Sequence, residues 1–196
     1  MSAPKVLCVY CSSSQELAAE YYALAEAIGR EMPGRGWGLV YGGGKVGTMG
    51  AIARGVRAAG GAVVGVIPEF MKARELAFEE ANELHVVETM AQRKAAMIAR
   101  ADGFLALPGG IGTLEETAEV LTLRYLGKIE KPIVFLNQNG YYDDLLRFFH
   151  RMARERFRGT EGLFAVAERA EQIWPPLESP RRYEPAELWR SPRAAG

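Results

Sequence analysis

One glycine-rich stretch of this sequence combines residue types that could bind an anion and do chemistry beside it. The stretch 108-PGGIGTLEE-116 holds three glycines within four residues, followed by a threonine and two adjacent glutamates. Such glycines let backbone amides approach a ligand, and a helix predicted to begin near Thr113 would aim its positive end at the same place. The pattern favours a bound phosphate. A capping box formed by Thr113 and Glu116 is the structural alternative.

A carboxylate beside a phosphate is unfavourable unless another part of the ligand attracts negative charge. The nearby segment 90-MAQRK-94 offers Arg93 and Lys94 to balance the phosphate. A nucleoside monophosphate fits this set, with its phosphate on the glycine amides and its ribose facing a carboxylate. When an N-glycosidic bond breaks, the ribose becomes oxocarbenium-like, and a preplaced carboxylate favours that charge over the ground state. The same carboxylate can orient an attacking water. The residues therefore predict chemistry at the ribose.

A second glycine-rich stretch, 42-GGGKVGTMG-50, has the spacing of a dinucleotide-binding fingerprint. Its glycines form Gly42-x-Gly44-x-x-Gly47, and Glu69 lies 22 residues past the last of them. Against an NAD(P) site, the motif follows the second strand-like run rather than the first. The alternative is a tight turn that allows close helix–sheet packing. A Walker A loop is excluded, because the lysine is not followed by serine or threonine.

Short apolar runs alternate with helical segments along most of the chain. The strand-like runs cover residues 5–11, 38–42, 62–67, 84–87, 103–107 and 132–136. Segments of helical period cover residues 15–32, 46–60, 89–101, 113–127 and 141–157. This alternation indicates an α/β fold, a doubly wound, Rossmann-like parallel sheet with flanking helices. Because ligands bind beyond the carboxyl ends of such strands, the candidate site lies among residues 11–15, 42–47, 68–75 and 108–116.

The composition is that of one globular domain without bulk charge. The 196 residues are 48% hydrophobic, and Lys+Arg and Asp+Glu both number 24. We expect no nucleic-acid partner, because there is no basic excess, and no membrane partner, because no apolar run approaches about 18 residues. The sequence shows no signal-peptide pattern, which favours a cytoplasmic protein. The domain is expected to cover residues 1–178, with a C-terminal tail over 179–196.

The two cysteines, Cys8 and Cys11, have the spacing of half a zinc or redox site. They fall in the first strand-like run, where positions three apart point to opposite faces. We therefore expect them to be core residues and expect no metal site.

Together these motifs resemble the LOG family, the cytokinin riboside 5′-monophosphate phosphoribohydrolases, whose members were often labelled lysine decarboxylases. The family's PGGxGTxxE stands at 108–116, its M-x-x-R-K at 90–94, and its GGGxxGLMG at 42–50 as GGGKVGTMG. The likeness covers about residues 5–150. It implies hydrolysis of an adenosine 5′-monophosphate, N6-prenylated or plain, to free base and ribose 5-phosphate. It also implies a homodimer that needs no cofactor.

The resemblance further implies roles for individual residues. Arg93 and Glu116 match the catalytic pair. Since a guanidinium holds its proton, we expect Arg93 to be a charge clamp rather than an acid. Glu116 is expected to face the ribose and the attacking water, whereas Glu115 points elsewhere on the helix. The expected substrate-binding positions are Gly43, Gly44, Glu75, Met90, Lys94, Gly109, Gly110, Ile111, Gly112, Thr113 and Thr122.

Two departures from the family pattern bear on the pocket. The first strand ends in 10-YCSSSQE-16 where the family has FCGSSxG, and Thr48 replaces a common leucine. Both are expected to affect the preferred base. A non-catalytic carrier of a nucleotide or of the molybdenum cofactor is the alternative function, disfavoured because a carrier needs no carboxylate facing a ribose. A pyridoxal phosphate decarboxylase is disfavoured because no lysine is marked for a Schiff base.

Overall fold

The structure is a computed structural model that describes residues 4–72, 77–157 and 160–184. Within these ranges one sheet of seven parallel strands has the order β4-β3-β2-β1-β5-β6-β7. The strands are β1 Lys5–Tyr10, β2 Trp37–Tyr41, β3 Val63–Pro68, β4 Glu83–Val87, β5 Gly103–Ala106, β6 Ile133–Leu136 and β7 Ala165–Ala167. The α-helices are α1 Ala19–Glu31, α2 Gly47–Ala58, α3 Met90–Arg100, α4 Ile111–Tyr125, α5 Asp143–Arg154 and α6 Trp174–Glu178. The predicted doubly wound α/β fold is confirmed.

The central strands are apolar because helices cover both of their faces. Every residue of β2, β5 and β6 is buried. Alternate side chains belong to different cores: Leu39 of β2 packs in one cluster and its neighbour Val40 in the other. Cys8 and Cys11 divide in the same way, one in each cluster, and both are free thiols. Their prediction as core residues is confirmed.

The strand order places the topological switch point at β1. Strands β2, β3 and β4 extend from one side of β1, and β5, β6 and β7 extend from the other. The connections after β1 and β5 therefore diverge and leave a crevice beyond their carboxyl ends, where this fold binds ligands. The two glycine-rich loops follow β2 and β5, the two direct neighbours of β1.

Several boundaries differ from the sequence predictions. The short strand β7 was not predicted, since its three residues give too little periodicity. Helix α1 begins at Ala19 rather than near residue 15, because the Tyr22 hydroxyl accepts from the Leu17 amide at 3.0 Å and donates to the Ser14 carbonyl at 3.1 Å. These bonds hold the preceding residues in a loop.

The domain boundary at residue 178 stays a prediction. Helix α6 buries Trp174 and Leu177 just before it. Beyond it, the buried Arg124 guanidinium donates to the carbonyl of Arg181 at 3.0 Å. Among the described residues, no helix is long and apolar enough to cross a membrane.

Candidate active site

The end of β1 ties the two glycine-rich loops together. On one side, the Thr113 hydroxyl donates to the Cys11 carbonyl at 3.1 Å. On the other, the Ser12 amide donates to the Thr48 hydroxyl at 2.9 Å, and that hydroxyl donates back to the Ser12 carbonyl at 3.2 Å. The Thr48 side chain is thus bonded to the backbone of Ser12, so these two departures from the family pattern lie in contact.

The loop after β5 leads straight into a helix N-terminus. Helix α4 begins at Ile111 with Gly110 as its N-cap, two residues earlier than predicted. Its first backbone bond runs from the Leu114 amide to the Gly110 carbonyl at 3.1 Å. The interpretation of Thr113 and Glu116 as a capping box is therefore wrong, because Thr113 lies inside the first turn and its hydroxyl donates to the Cys11 carbonyl. The earlier amides of the helix point out of its N-terminus, where an anion is favoured.

The three glycines of this loop have different reasons to be glycine. A Cβ at Gly109 would lie 2.2 Å from the Thr113 hydroxyl oxygen, so internal packing forbids a side chain there. A Cβ at Gly110 or Gly112 would meet nothing within 4 Å, and neither residue has a positive φ. The protein itself therefore does not demand glycine at these two positions. Bare backbone there leaves room for a ligand to approach the amides.

Glu116 and Glu115 point in different directions from α4, as predicted. Glu116 is only 8% exposed. Its charge helps to raise the pKa of Cys8 and the pKa of Tyr10, although burial is the largest cause of both shifts. Glu116 therefore lies over the end of β1. The Glu115 side chain is half exposed and pairs with Lys94.

Arg93 is a buried cation fixed by backbone carbonyls. It is 3% exposed, its Nε donates to the Val66 carbonyl at 3.1 Å, and its Nη2 donates to the Gly42 carbonyl at 2.8 Å. Its Nη1 lies 3.8 Å from the Met71 sulfur and 3.9 Å from that of Met90. These bonds fix the guanidinium at the carboxyl ends of β2 and β3.

A capping box sets the start of the helix that carries Arg93. The Thr89 hydroxyl accepts from the Gln92 amide at 3.1 Å, and the Gln92 side chain accepts from the Thr89 amide at 3.2 Å. Successive residues then point about 100° apart, so Arg93 turns into the sheet while Lys94 turns toward α4.

Lys94 contacts carboxylates rather than open space. It pairs with Glu115 and lies 3.1 Å from Glu119. The hydrogen bond to Glu115 raises the pKa of the lysine, so its charge persists through the neutral range. A substrate contact by Lys94 stays a prediction.

Backbone atoms of the protein itself fill the space beside two glycines of the first glycine-rich loop, Gly47 and Gly50. A Cβ at Gly47 would lie 2.3 Å from the Ser12 carbonyl oxygen, and one at Gly50 would lie 1.9 Å from the Lys45 carbonyl oxygen. The Met49 amide, in the first turn of α2, already donates to Ser12 at 3.1 Å. These contacts favour the tight-turn interpretation over a dinucleotide site.

The remaining predicted positions differ in their environments. The carbonyls of Gly43 and Gly44 accept bonds from the Phe78 amide at 2.9 Å and the Tyr41 hydroxyl at 3.1 Å. Thr122 is exposed on α4, with its hydroxyl on the Ala118 carbonyl. Ile111 and Met90 are exposed large apolar side chains near the crevice. Glu75 lies outside the described residues. Substrate binding by each of these positions stays a prediction.

The sequence analysis missed a tyrosine pair beside the anion loop. The Tyr141 hydroxyl donates to the Gly109 carbonyl at 2.8 Å, and the Tyr142 hydroxyl donates to the Leu107 carbonyl at 2.6 Å. One signal could have found them: the pair follows β6, the strand next to β5, at the same edge of the sheet.

Known proteins resemble this chain in sequence as well as in fold. The family described as possible lysine decarboxylase matches residues 49–177. A cytokinin riboside 5′-monophosphate phosphoribohydrolase of Oryza sativa subsp. japonica is 44% identical over 151 residues, which cover 77% of this chain and 62% of the relative. A protein of the same name from Arabidopsis thaliana is 42% identical over 183 residues, covering 92% of this chain and 83% of the relative. The chain thus spans less than two thirds of the rice protein.

Among solved structures, the molybdenum cofactor carrier protein of Chlamydomonas reinhardtii superposes with a TM-score of 0.68 at 22% identity, covering 87% of this chain and 93% of the carrier. That likeness shows a shared fold. With the PGGxGTxxE and M-x-x-R-K motifs both present, and with relatives above 40% identity, the chain belongs to the LOG family of cytokinin riboside 5′-monophosphate phosphoribohydrolases.

Proposed function

We propose that this protein hydrolyses the N-glycosidic bond of a purine nucleoside 5′-monophosphate and releases the free base and ribose 5-phosphate. The observation that carries the proposal is a buried carboxylate, Glu116, on the same helix whose bare N-terminus can hold a phosphate. The names of the relatives from rice and Arabidopsis support the same reaction.

The helix geometry suits the two ends of a ribose 5-phosphate. Glu116 lies five residues after Ile111, about 7.5 Å along the helix axis. The phosphate binds the amides of Gly110 to Gly112, where the helix dipole and the free N–H groups favour an anion. The ribose then extends along α4 toward Glu116.

Hydrolysis proceeds by departure of the base and attack of water. The C1′–N bond breaks, its electron pair leaves with the base, and positive charge develops on the ribose. The Glu116 carboxylate stabilises that charge and accepts a proton as the water oxygen bonds to C1′. The base gains a proton, so that one water is consumed for each bond broken. Arg93 supplies a fixed positive charge that clamps an anionic part of the nucleotide.

The finer features of the proposal come from the family. An N6-prenylated adenine as the base agrees with the names of the relatives. A homodimer in the cytoplasm that needs no cofactor and takes neither nucleic acid nor membrane as a partner is proposed on the resemblance and composition.

The proposal is tested with three compounds. The protein is incubated with AMP, N6-isopentenyl-AMP and adenosine, and chromatography follows the free base and ribose 5-phosphate. We expect equal amounts of both products from each nucleotide and no base from adenosine, which lacks the phosphate. A protein that binds both nucleotides but releases no base from either would instead be a non-catalytic carrier.

A further inference from the structure

The two adjacent tyrosines before α5 hold two carbonyls at the start of the anion loop, on either side of Pro108. Tyr141 reaches Gly109 at 2.8 Å, and Tyr142 reaches Leu107 at 2.6 Å. Their environments differ, because Tyr141 is 47% exposed at the crevice whereas Tyr142 is 6% exposed in the core. A hydrogen bond from a tyrosine hydroxyl to a backbone carbonyl thus occurs once at the exposed crevice and once in the buried core.

Peptide geometry gives the two bonds different consequences. In a trans peptide the C=O of one residue and the N–H of the next point in opposite directions, and the described residues contain no cis peptide bond. When Tyr141 holds the Gly109 carbonyl on its side, the Gly110 N–H must point away from Tyr141. Tyr142 holds the Leu107 carbonyl, but the next residue is Pro108, which has no N–H. Of the two tyrosine bonds, only that of Tyr141 therefore fixes the direction of a backbone N–H donor.

The peptide between Gly109 and Gly110 needs such a restraint. Neither residue carries a Cβ, so its dihedrals are less restricted than those of any other residue pair. A rotated peptide would present the Gly109 carbonyl oxygen, instead of the Gly110 N–H, to an incoming phosphate. The restraint therefore decides whether a donor or an acceptor faces the anion.

The tyrosine pair is itself held in place. The Asn137 side chain accepts from the Tyr142 amide at 2.7 Å and donates to Asp143 at 2.8 Å. The Tyr141 ring packs edge-on against Tyr142 and against Tyr21 of α1. These contacts bring the Tyr141 hydroxyl to the loop already oriented.

We propose that Tyr141 is a positioning residue for phosphate binding, which fixes the Gly109–Gly110 peptide so that the Gly110 N–H faces the phosphate. The inference rests on the proposed function for the identity of the ligand, a sugar 5-phosphate. It assigns to Tyr141 a role in affinity and not in the bond-breaking step.

The test compares Tyr141→Phe with Tyr142→Phe, since each substitution removes one hydroxyl and keeps the ring. Binding of ribose 5-phosphate is measured by titration calorimetry, KM and kcat are measured with AMP, and stability is measured by thermal unfolding. For Tyr141→Phe we expect Kd and KM to rise about 5- to 10-fold, the equivalent of one hydrogen bond, with kcat within twofold and an unchanged Tm. For Tyr142→Phe we expect a lower Tm, because a buried carbonyl loses its donor, and a Kd within twofold.

Two results would overturn the inference. One is a Tyr141→Phe protein whose Kd for ribose 5-phosphate equals that of the wild type. The other is an equal rise in Kd for both variants, which would mean that the pair only packs the loop. Because the calorimetric arm needs no turnover, a wild-type protein that binds ribose 5-phosphate without hydrolysing AMP would refute the proposed function and still test Tyr141.

Discussion

Gly42 leaves the space that the guanidinium of Arg93 occupies, and filling that space should disable the site. In Gly42→Ala the new Cβ would lie 2.1 Å from Nη2 and 3.1 Å from Cζ of Arg93, whereas ordinary contacts begin at 3.4 Å. The guanidinium must therefore move by more than about 1 Å, a displacement that can cost about 100-fold in rate. The bond from Nη2 to the Gly42 carbonyl would also be lost, at about 1.5–3 kcal/mol for a charged donor.

The assay is kcat/KM for AMP together with unfolding in urea. We expect Gly42→Ala to lower kcat/KM by about 100-fold, or about 2.7 kcal/mol, and to lower the free energy of unfolding by about 1.5–3 kcal/mol. Gly34→Ala is the matched control, because a Cβ there meets nothing within 4 Å and its φ is not positive. It should leave kcat/KM unchanged and stability within about 0.5 kcal/mol. If Gly42→Ala kept wild-type kcat/KM, the position of the guanidinium would have no part in the reaction.

Three further predictions follow from the loop and the core. Gly110→Ala should keep wild-type stability but weaken ribose 5-phosphate binding at least tenfold by calorimetry. Gly109→Ala should instead lower Tm, because its Cβ would lie 2.2 Å from the Thr113 hydroxyl oxygen. Equal changes of Tm and of affinity in the two variants would contradict the different roles of these glycines. Both cysteines are buried, and burial also raises the pKa of the Cys8 thiol, so neither should react with a thiol reagent until the protein is unfolded. Rapid labelling of the native protein would contradict this. Burial also raises the pKa of Tyr10 well above its usual 10, so the unfolded state releases this proton at a lower pH than the folded state does. The free energy of unfolding, measured in urea, should therefore fall above about pH 10. A Tyr10→Phe protein should lose less stability over the same pH range, and an equal loss would contradict the role of Tyr10.

The fold and the location of the candidate site could be predicted because their signals are local. Wholly apolar runs such as 38–42 and 132–136 indicate buried parallel strands, and the rule of carboxyl ends then selects the crevice. The glycine pattern at 108–116 indicates an anion loop before any packing is known. The inward direction of Glu116 and the outward direction of Glu115 also follow from helical period alone.

The parts that could not be predicted depend on contacts between distant residues. Gly42 and Arg93 lie 51 residues apart, so a glycine that makes room for a guanidinium resembles any glycine of a tight turn. The start of α4 at Ile111 was missed because Thr113 offered a plausible cap, while its hydroxyl in fact bonds to Cys11 in another element. Tyr141 acts on a loop 32 residues before it, and no local pattern reports that bond.

The central claim is that Glu116 is the carboxylate that serves the ribose. The most direct measurement is base release from AMP by the wild type, Glu116→Gln and Glu115→Gln, followed by chromatography under the same conditions. Glutamine keeps the shape and removes the charge, so Glu116→Gln should lower kcat by about 100- to 1000-fold. Glu115→Gln should lower it less than threefold, since that side chain is half exposed and turned toward Lys94. A Glu116→Gln protein that releases base as fast as the wild type would contradict the account.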